Sequence, residues 1–369
     1  MKRIIIIQHE PLTPNIEKKY CLKELILAGF SLEYWDISQI IYPGLTVANK
    51  LEYDYLKIVK TFGDLKTLWN NLEDNCIAIP ELFFIPKTGK IWKLLRSREI
   101  PLIKIERYAN TNIGRTFWQK IISHANPATA YQYLKNFIFR FSMRFAGISA
   151  SNRYDYYLTS GNKTKCDCQI NHPDYDDYLL HKNDEAFLKE KYICFIDTGF
   201  GIHPDQKFYR TDIYEDNELW QAKLSAFFSV IEKKYRVPVV IAVHPKLDYS
   251  EKAFDGRKKI KYQTLNLVKN AEFVLQDISN SIAFSVIENK KIGLITTNEF
   301  WKIYNQHLTQ MSKIIDIPVF NIDNQKAQDF EPIALKESVR NSYRDSYLCS
   351  EETRNKLTSE ILIDFFGKL

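Results

Sequence analysis

The feature that most constrains this chain is a repeated alternation of short apolar runs with segments of helical periodicity. In the first half, the runs Ile4 to Gln8 and Leu32 to Asp36 flank a helical segment from Asn15 to Phe30. The alternation restarts with the apolar run Tyr192 to Asp197. Because strands that alternate with helices build a parallel sheet, the sequence predicts an α/β fold of two Rossmann-like domains facing a cleft.

A polar and charged segment, HKNDEAFLKEK at residues 181–191, separates the two series. The chain length of 369 residues is sufficient for two hydrophobic cores. We therefore predict an amino-terminal domain at residues 1–180, a linker at residues 181–191 and a carboxyl-terminal domain at residues 192–369.

Charge and cysteine usage limit the partners and the compartment. The formal net charge is +6 and the basic residues are spread along the chain, which favours phosphate-bearing partners and predicts no nucleic-acid partner. The six cysteines are scattered, as is typical of a reducing cytoplasm. The start MKRIIIIQHEP contains only four consecutive isoleucines, too few for the apolar core of a signal peptide. No apolar run approaches the length of a membrane-spanning helix. We expect a cytoplasmic protein that is soluble or peripheral.

The first candidate motif is AVHPK at residues 242–246, where a histidine and a proline follow an apolar strand pattern. Ligands of open α/β sheets bind beyond the carboxyl ends of the strands. An imidazole at that place can donate to a phosphate oxygen, and a proline stiffens the turn. His244 and Pro245 therefore predict a phosphate site; the alternative is a histidine that only ends a strand.

The second candidate is the turn Ser279-Asn280-Ser281, which follows the strand pattern Phe273 to Leu275. We expect a helix to open at Ser279, and a helix start offers N–H groups and a positive dipole end to an anion. An ordinary serine cap is the alternative. The order of the two motifs predicts that both border one phosphate site.

A third candidate is the loop FIDTGFGIHPD, in which Gly199 and Gly201 lie close together in a glycine-poor chain. Glycines let the backbone come close to a donor phosphate or a sugar. The spacing lacks the third glycine of a dinucleotide fingerprint. His203 and Asp205 either contact the sugar or base, or belong to a structural turn.

The run from IAVHPK through FDGR, AEFVLQD, SNS and ENKKIGLIT resembles the carboxyl-terminal domain of bacterial GT-B glycosyltransferases of capsule and lipopolysaccharide synthesis. Bacterial sialyltransferases and Kdo transferases carry a comparable His-Pro motif and a paired-serine motif, and teichoic-acid glycerophosphotransferases are similar in outline. The resemblance implies that His244, Pro245, Ser279 and Ser281 hold the phosphate of a CMP or CDP donor. This sequence departs from the pattern because Asn280 separates the serines.

The resemblance also implies a function. It points to transfer of a sugar from a nucleotide donor, with a CMP-sugar favoured, to a lipopolysaccharide, O-antigen or capsule acceptor at the inner face of the cytoplasmic membrane. The amino-terminal domain would bind the glycan or lipid-linked glycan acceptor and the carboxyl-terminal domain the donor. The alternatives are a CDP-polyol phosphotransferase of the same fold, and a nucleotide-sugar epimerase or a non-catalytic nucleotide-binding module.

An inverting transfer needs a general base on the acceptor hydroxyl. Glu10, in the loop after the first strand, is the first choice, with His9 beside it; alternatively Glu10 caps the following helix. Asp174 and Glu81 are weaker candidates.

The negative charge that develops on the leaving nucleotide must also be offset. No DxD motif follows a strand, so we expect no metal and no cofactor. Lys246, Arg257, His244 and the helix dipole are expected to offset this charge.

Two further patterns lie outside the predicted donor site. Cys166 and Cys168 with His172 lack the partner pair of a zinc site. The segment 117–147 interleaves bulky apolar residues with Lys120, Lys135, Arg140 and Arg144 and has no acidic residue. It is either a core-facing helix with a solvated basic side or an amphipathic segment on an anionic membrane.

Overall fold

The computed structural model describes residues 2–45, 50–108, 127–202 and 217–369. These residues form two compact units. The first unit contains the described residues up to 171 together with residues 352–369, and the second contains the described residues from 172 to 351.

The unit limits differ from the predicted domain limits. Residues 172–180 were expected in the amino-terminal domain but belong to the second unit, whereas the last helix, Thr358–Lys368, belongs to the first. That helix buries Phe366 in a core of the first unit. Within the segment 181–191, Leu188 is buried in a core of the second unit, so the segment is more than a solvated linker. Packing against distant residues, which local polarity does not show, determines these limits.

The first unit is built on parallel strands. Four of them lie in the order β3-β2-β1-β4, and a second group lies in the order β5-β6-β7. A single parallel bridge from Ala78 to Leu102 joins the two groups. The strands are β1 (Arg3–Gln8), β2 (Ser31–Asp36), β3 (Leu56–Ile58), β4 (Cys76–Glu81), β5 (Ile103–Glu106), β6 (Tyr156–Ser160) and β7 (Cys168–Ile170).

The four isoleucines of β1 explain why this strand lies inside the sheet. Ile5 and Ile7 are fully buried in one hydrophobic cluster, and Ile4 and Ile6 are fully buried in another. Successive side chains of a strand point to opposite faces, so a continuous apolar run is needed where both faces are covered.

The second unit contains one six-stranded parallel sheet in the order β10-β9-β8-β11-β12-β13. Because these strands are parallel, the carboxyl ends of β8, β9 and β11 lie at one edge of the sheet. The strand order reverses at β8, since the chain first forms β9 on one side of it and later β11 on the other. Open α/β sheets bind ligands beyond the strand ends at such a point. The strands are β8 (Ile193–Ile196), β9 (Val239–Val243), β10 (Lys259–Lys261), β11 (Val274–Gln276), β12 (Ile292–Thr296) and β13 (Val319–Asn321).

Helices connect the strands of both units. In chain order they are α1 (Pro14–Lys19), α2 (Leu22–Leu27), α3 (Ser38–Ile41), α4 (Phe62–Asn70), α5 (Gly89–Leu95), α6 (Pro127–Phe145), α7 (Pro173–His181), α8 (Asn217–Tyr235), α9 (Thr264–Asn270), α10 (Ile282–Ile287), α11 (Asn298–Ile315), α12 (Glu337–Tyr343) and α13 (Thr358–Lys368).

The helix predicted from Asn15 to Phe30 is wrong as a single element. The chain breaks at Cys21, which adopts a left-handed conformation with φ of 52°. Tyr20 and Leu22 on either side of the break are both fully buried. A continuous helix would place these two side chains about 200° apart, so the break lets both enter the core.

Candidate active site

His244 directly follows β9, as predicted. Its Nδ1 accepts a hydrogen bond from the backbone N–H of Lys246 at 3.2 Å. A neutral imidazole that accepts at Nδ1 carries its proton on Nε2. The turn through Pro245 therefore holds the ring in the tautomer that can donate to a phosphate oxygen.

Asp197, the residue directly after β8, connects two of the loops at this edge. Its carboxylate accepts a hydrogen bond from the backbone N–H of Gly199 at 2.9 Å, and the backbone N–H of His244 is a further polar neighbour of it. Asp197 is only 2% exposed, and burial raises its pKa to about 6. One buried carboxylate thus holds the glycine loop and adjoins the His-Pro loop.

Gly199 serves the packing of these loops. Its φ of 69° is left-handed, and a Cβ at this position would overlap the side chain of Leu247 in the His-Pro loop. The close approach of the backbone at Gly199 to Leu247 explains the glycine by packing, and the predicted contact of this loop with a donor phosphate or sugar stays a prediction. Gly201 also has a left-handed φ, of 81°. His203 and Asp205 lie outside the described residues.

Asp277 occupies the equivalent position after β11. It accepts hydrogen bonds from Thr198 Oγ1 at 2.6 Å and from the backbone N–H of Ile278 at 2.5 Å. Burial, together with the neighbouring charge of Asp197, raises its pKa to about 7. Sequence reasoning assigned no role to either aspartate, although each ends an apolar run, YICFID and FVLQD.

The serine turn differs in detail from the prediction. The helix α10 begins at Ile282, and its N-cap is Ser281, whose side chain makes no capping hydrogen bond. The backbone N–H of Ser281 donates to Ser279 Oγ at 3.2 Å, and the N–H groups of Ile282 and Ala283 donate to the carbonyls of Ser279 and Asn280. Because the turn uses these N–H groups itself, the side-chain hydroxyls are the better candidates for an anion.

Arg257, which was expected to offset phosphate charge, is held by residues of its own unit. Its Nε and one terminal nitrogen donate to the two carboxylate oxygens of Glu232 at 3.0 and 2.8 Å. Further hydrogen bonds reach the carbonyls of Phe254 and Ser225 and the hydroxyl of Ser229. These contacts tie the segment after β9 to helix α8 and favour a structural role, and the phosphate role stays a prediction.

Tyr262 lies at the same edge of the sheet and was missed by the sequence reasoning. It directly follows β10, whose last residue Lys261 pairs with Val243 of β9. Its φ of 61° is left-handed, and its side chain is 69% exposed. The exposed ring is attached to a backbone held in a sparsely populated conformation, and this combination makes it a candidate contact for a planar ligand group.

In the first unit, His9 and Glu10 follow β1. His9 Nδ1 lies 2.6 Å from the carbonyl oxygen of Glu81 and must be the donor there, since a carbonyl only accepts. His9 Nε2 lies 3.6 Å from Glu10 Oε1, and the Glu10 side chain is 44% exposed. Glu10 does not cap the next helix, because that cap is Thr13.

The two weaker candidates for the base have other positions. Glu81 Oε2 accepts a hydrogen bond from the Tyr20 hydroxyl at 2.6 Å and lies 3.5 Å from Lys19 Nζ. Asp174 lies in the first turn of α7, where His172 Nδ1 accepts from its backbone N–H at 3.1 Å. Asp174 belongs to the second unit, so the prediction that placed it in the acceptor-binding domain is wrong.

The sequence matches no protein-family model and no curated protein. Solved structures match its fold. The glycotransferase of kitacinnamycin is similar with a TM-score of 0.54 at 10% identity, covering 100% of this chain and 98% of that one. A variant of the wall teichoic acid polymerase TagF is similar with a TM-score of 0.51 at 11% identity, covering 100% of this chain and 89% of that one. The chain has a GT-B-type fold.

The predicted fold class is thereby confirmed, with two Rossmann-like units on parallel sheets. In the described part of this GT-B-type chain, no three His, Cys, Asp or Glu side chains form a group that could hold a metal ion. Over the same residues, the helices are too short or too polar to cross a membrane.

Proposed function

We propose that this chain is a metal-independent GT-B glycosyltransferase that moves a sugar from a nucleotide donor, with a CMP-sugar favoured, to a bacterial cell-surface glycan. The acceptor would be lipopolysaccharide, O-antigen or capsule at the inner face of the cytoplasmic membrane. The observation that carries the proposal is the arrangement of His244 and the two serines on loops at one edge of the second sheet. Strand ends of this kind are where α/β folds bind phosphorylated ligands.

On the donor side, each group has a chemical task. His244 Nε2–H and the hydroxyls of Ser279 and Ser281 would donate to the oxygens of the donor phosphate. Lys246 is exposed at the same loop and would add positive charge. Donors that are fixed before the reaction stabilise the charge that develops on a departing nucleotide. A CMP-sugar presents a single phosphate group, and the donors of His244, Ser279 and Ser281 are sufficient in number to bind it.

On the acceptor side, Glu10 would take the proton of the acceptor hydroxyl. The acceptor oxygen then forms a bond to the anomeric carbon while the bond from that carbon to the phosphate oxygen breaks, and CMP leaves with the bonding electrons. The hydrogen bond from His9 Nδ1 to the Glu81 carbonyl holds the ring beside Glu10, and a second ring proton, on Nε2, would let His9 orient the Glu10 carboxylate.

Two alternatives keep the same donor site. Transfer of a polyol phosphate from a CDP donor is favoured by the likeness to the wall teichoic acid polymerase. A nucleotide-sugar epimerase, or a module that only binds nucleotide, would also use His244 and the serines. These alternatives differ in products: a phosphotransferase releases CMP and extends a phosphate-linked acceptor, an epimerase needs no acceptor, and a binding module shows no turnover.

The test is nucleotide binding followed by turnover. With EDTA present, thermal unfolding is measured with CMP, CDP, UDP and GDP, and we expect CMP or CDP to raise the unfolding temperature most. The selected nucleotide sugar is then incubated with and without a glycan acceptor, and products are identified by mass spectrometry. Equal and negligible shifts for all four nucleotides would remove the donor proposal, and an absolute requirement for Mg²⁺ would remove metal independence.

A further inference from the structure

Among the residues that the structure describes, helix α6 exposes a broad apolar surface. This apolar face consists of six large side chains that are each more than half exposed: Tyr131 (63%), Leu134 (57%), Phe137 (68%), Ile138 (58%), Phe141 (55%) and Phe145 (80%). At the helical period they fall within an arc of about 120°. With four aromatic rings among them, they expose on the order of 500 Å², which is as large as the largest patch on a typical monomer.

The opposite side of α6 anchors the helix to the first unit. Phe139 and Met143 are 9% and 1% exposed and belong to a hydrophobic cluster of that unit. The Phe139 ring lies 5.1 Å from the ring of Phe84. The core-facing interpretation of the segment 117–147 therefore holds for a narrow stripe of α6 and leaves the apolar face unexplained. Residues 117–126 lie outside the described part.

The charges beside the apolar face are all positive. Lys135, Arg140 and Arg144 are exposed, and α6 contains no acidic residue. At the helical period Lys135 borders one side of the apolar arc, and Arg144 borders the other with Arg140 beyond it. An apolar stripe with basic borders is complementary to an anionic bilayer, which offers acyl chains below a negative surface.

The buried side of α6 contacts residues next to the loop that carries the candidate base. Phe84, which Phe139 contacts, follows Phe83, and the Phe83 ring lies 4.9 Å from the His9 ring. Phe83 is itself 44% exposed. A surface that held α6 would therefore lie near the loop of His9 and Glu10.

We propose that the apolar face of α6 docks on an anionic membrane surface, with its rings at the acyl boundary and Lys135, Arg140 and Arg144 at the level of the headgroups. Membrane docking needs no sugar transfer and stands independently of the proposed function. If both hold, the docking brings the Glu10 loop to the interface at which a lipid-linked acceptor presents its glycan.

The test is sedimentation of the full chain with vesicles of phosphatidylcholine alone or with phosphatidylglycerol at a molar ratio of about 7 to 3. We expect binding to the anionic vesicles only, and weaker binding as salt is added. The charge variant Lys135→Glu, Arg140→Glu and Arg144→Glu should bind at least about 100-fold more weakly, since each basic residue near an anionic surface is worth roughly fivefold.

A matched control is the triple variant Lys60→Glu, Lys66→Glu and Lys313→Glu, which changes three exposed lysines elsewhere. Both triple variants bring the formal net charge from +6 to zero, but only the one on α6 should lose binding. The variant Phe141→Ser with Phe145→Ser should lose binding at low salt with unchanged circular dichroism and unchanged nucleotide response.

Three results would overturn membrane docking: equal binding to both kinds of vesicle, retained binding in the α6 variants, or a dimer in solution that the phenylalanine variants dissociate. The dimer would show that a second copy covers this face. Loss of the nucleotide response in wild type, with vesicle binding intact, would refute the proposed function and leave the docking in place.

Discussion

The buried carboxylate of Asp197 accepts a hydrogen bond from the backbone N–H of Gly199 at 2.9 Å. This contact joins the end of β8 to the glycine loop, and the backbone N–H of His244 in the His-Pro loop is a further polar neighbour of the same carboxylate. The surroundings of the imidazole therefore depend on a residue that need not contact any ligand.

Replacing Asp197 by alanine should weaken nucleotide binding about tenfold and destabilise the fold by about 1 to 3 kcal/mol, because the backbone N–H of Gly199 loses its acceptor and the His-Pro loop loses a polar neighbour. Asparagine keeps an acceptor oxygen and should recover most of the nucleotide affinity. Calorimetric titration and urea unfolding measure the two effects. If alanine lowered stability and left affinity unchanged, the role of Asp197 would be structural only.

Substitution of His244 by alanine should abolish turnover and leave the fold intact, since the ring is half-exposed and its loss opens no core cavity. Turnover is measured with the nucleotide sugar selected by thermal shift. His181→Ala is the matched control, because His181 is an exposed histidine of the same unit that pairs with the exposed Asp184. Wild-type kinetics in the His244 variant would remove it from the donor site.

The variant Glu10→Gln should bind the donor nucleotide normally and lose sugar transfer by about 100-fold or more, as expected for loss of a general base. His9→Gln should retain part of the activity if His9 only orients Glu10. A larger loss in the His9 variant than in the Glu10 variant, with normal binding in both, would exchange the two roles. Thr13→Ala, which removes the nearby helix cap, is the control for a purely structural disturbance of this loop.

The stability of the second unit should fall as the pH rises from about 4 to about 7. Burial raises the pKa of Asp197 to about 6 and that of Asp277 to about 7, while the unfolded values are near 3.9. In this window the folded protein holds more protons than the unfolded chain, so each pH unit costs up to roughly 1 kcal/mol per group. Urea unfolding of wild type and Asp277→Asn at several pH values measures the effect, and the variant should show the shallower slope. Parallel pH profiles would contradict the prediction.

Arg257→Ala should destabilise the protein by about 2 to 4 kcal/mol and leave nucleotide affinity unchanged. The substitution removes a mostly buried, bidentate ion pair with Glu232 and leaves the Glu232 carboxylate without its cation. Chemical unfolding and calorimetric titration report on the two properties separately. A fall in affinity at unchanged stability would restore the phosphate role that the sequence suggested.

Local sequence patterns predicted the longer strands closely. The strands β1 and β2 each begin one residue before their apolar runs, and β11 is shifted by one residue from its predicted pattern. His244 lies directly after β9, as the pattern AVHPK indicates. A continuous apolar run predicts a strand that is buried in a parallel sheet, and the end of that run predicts the edge at which ligands bind.

The sequence by itself therefore determined two parallel α/β units and the strand ends that carry His244 and the serine turn. Only the tertiary structure decided that Arg257 is held by Glu232, that Asp174 lies in the second unit, and that α6 buries one stripe and exposes its apolar face. It also revealed Asp197 and Asp277 as buried acceptors. The physical reason is the same in each case. Burial and hydrogen bonds depend on partners from segments far apart in the chain, and the local periodicity of a segment does not predict those partners.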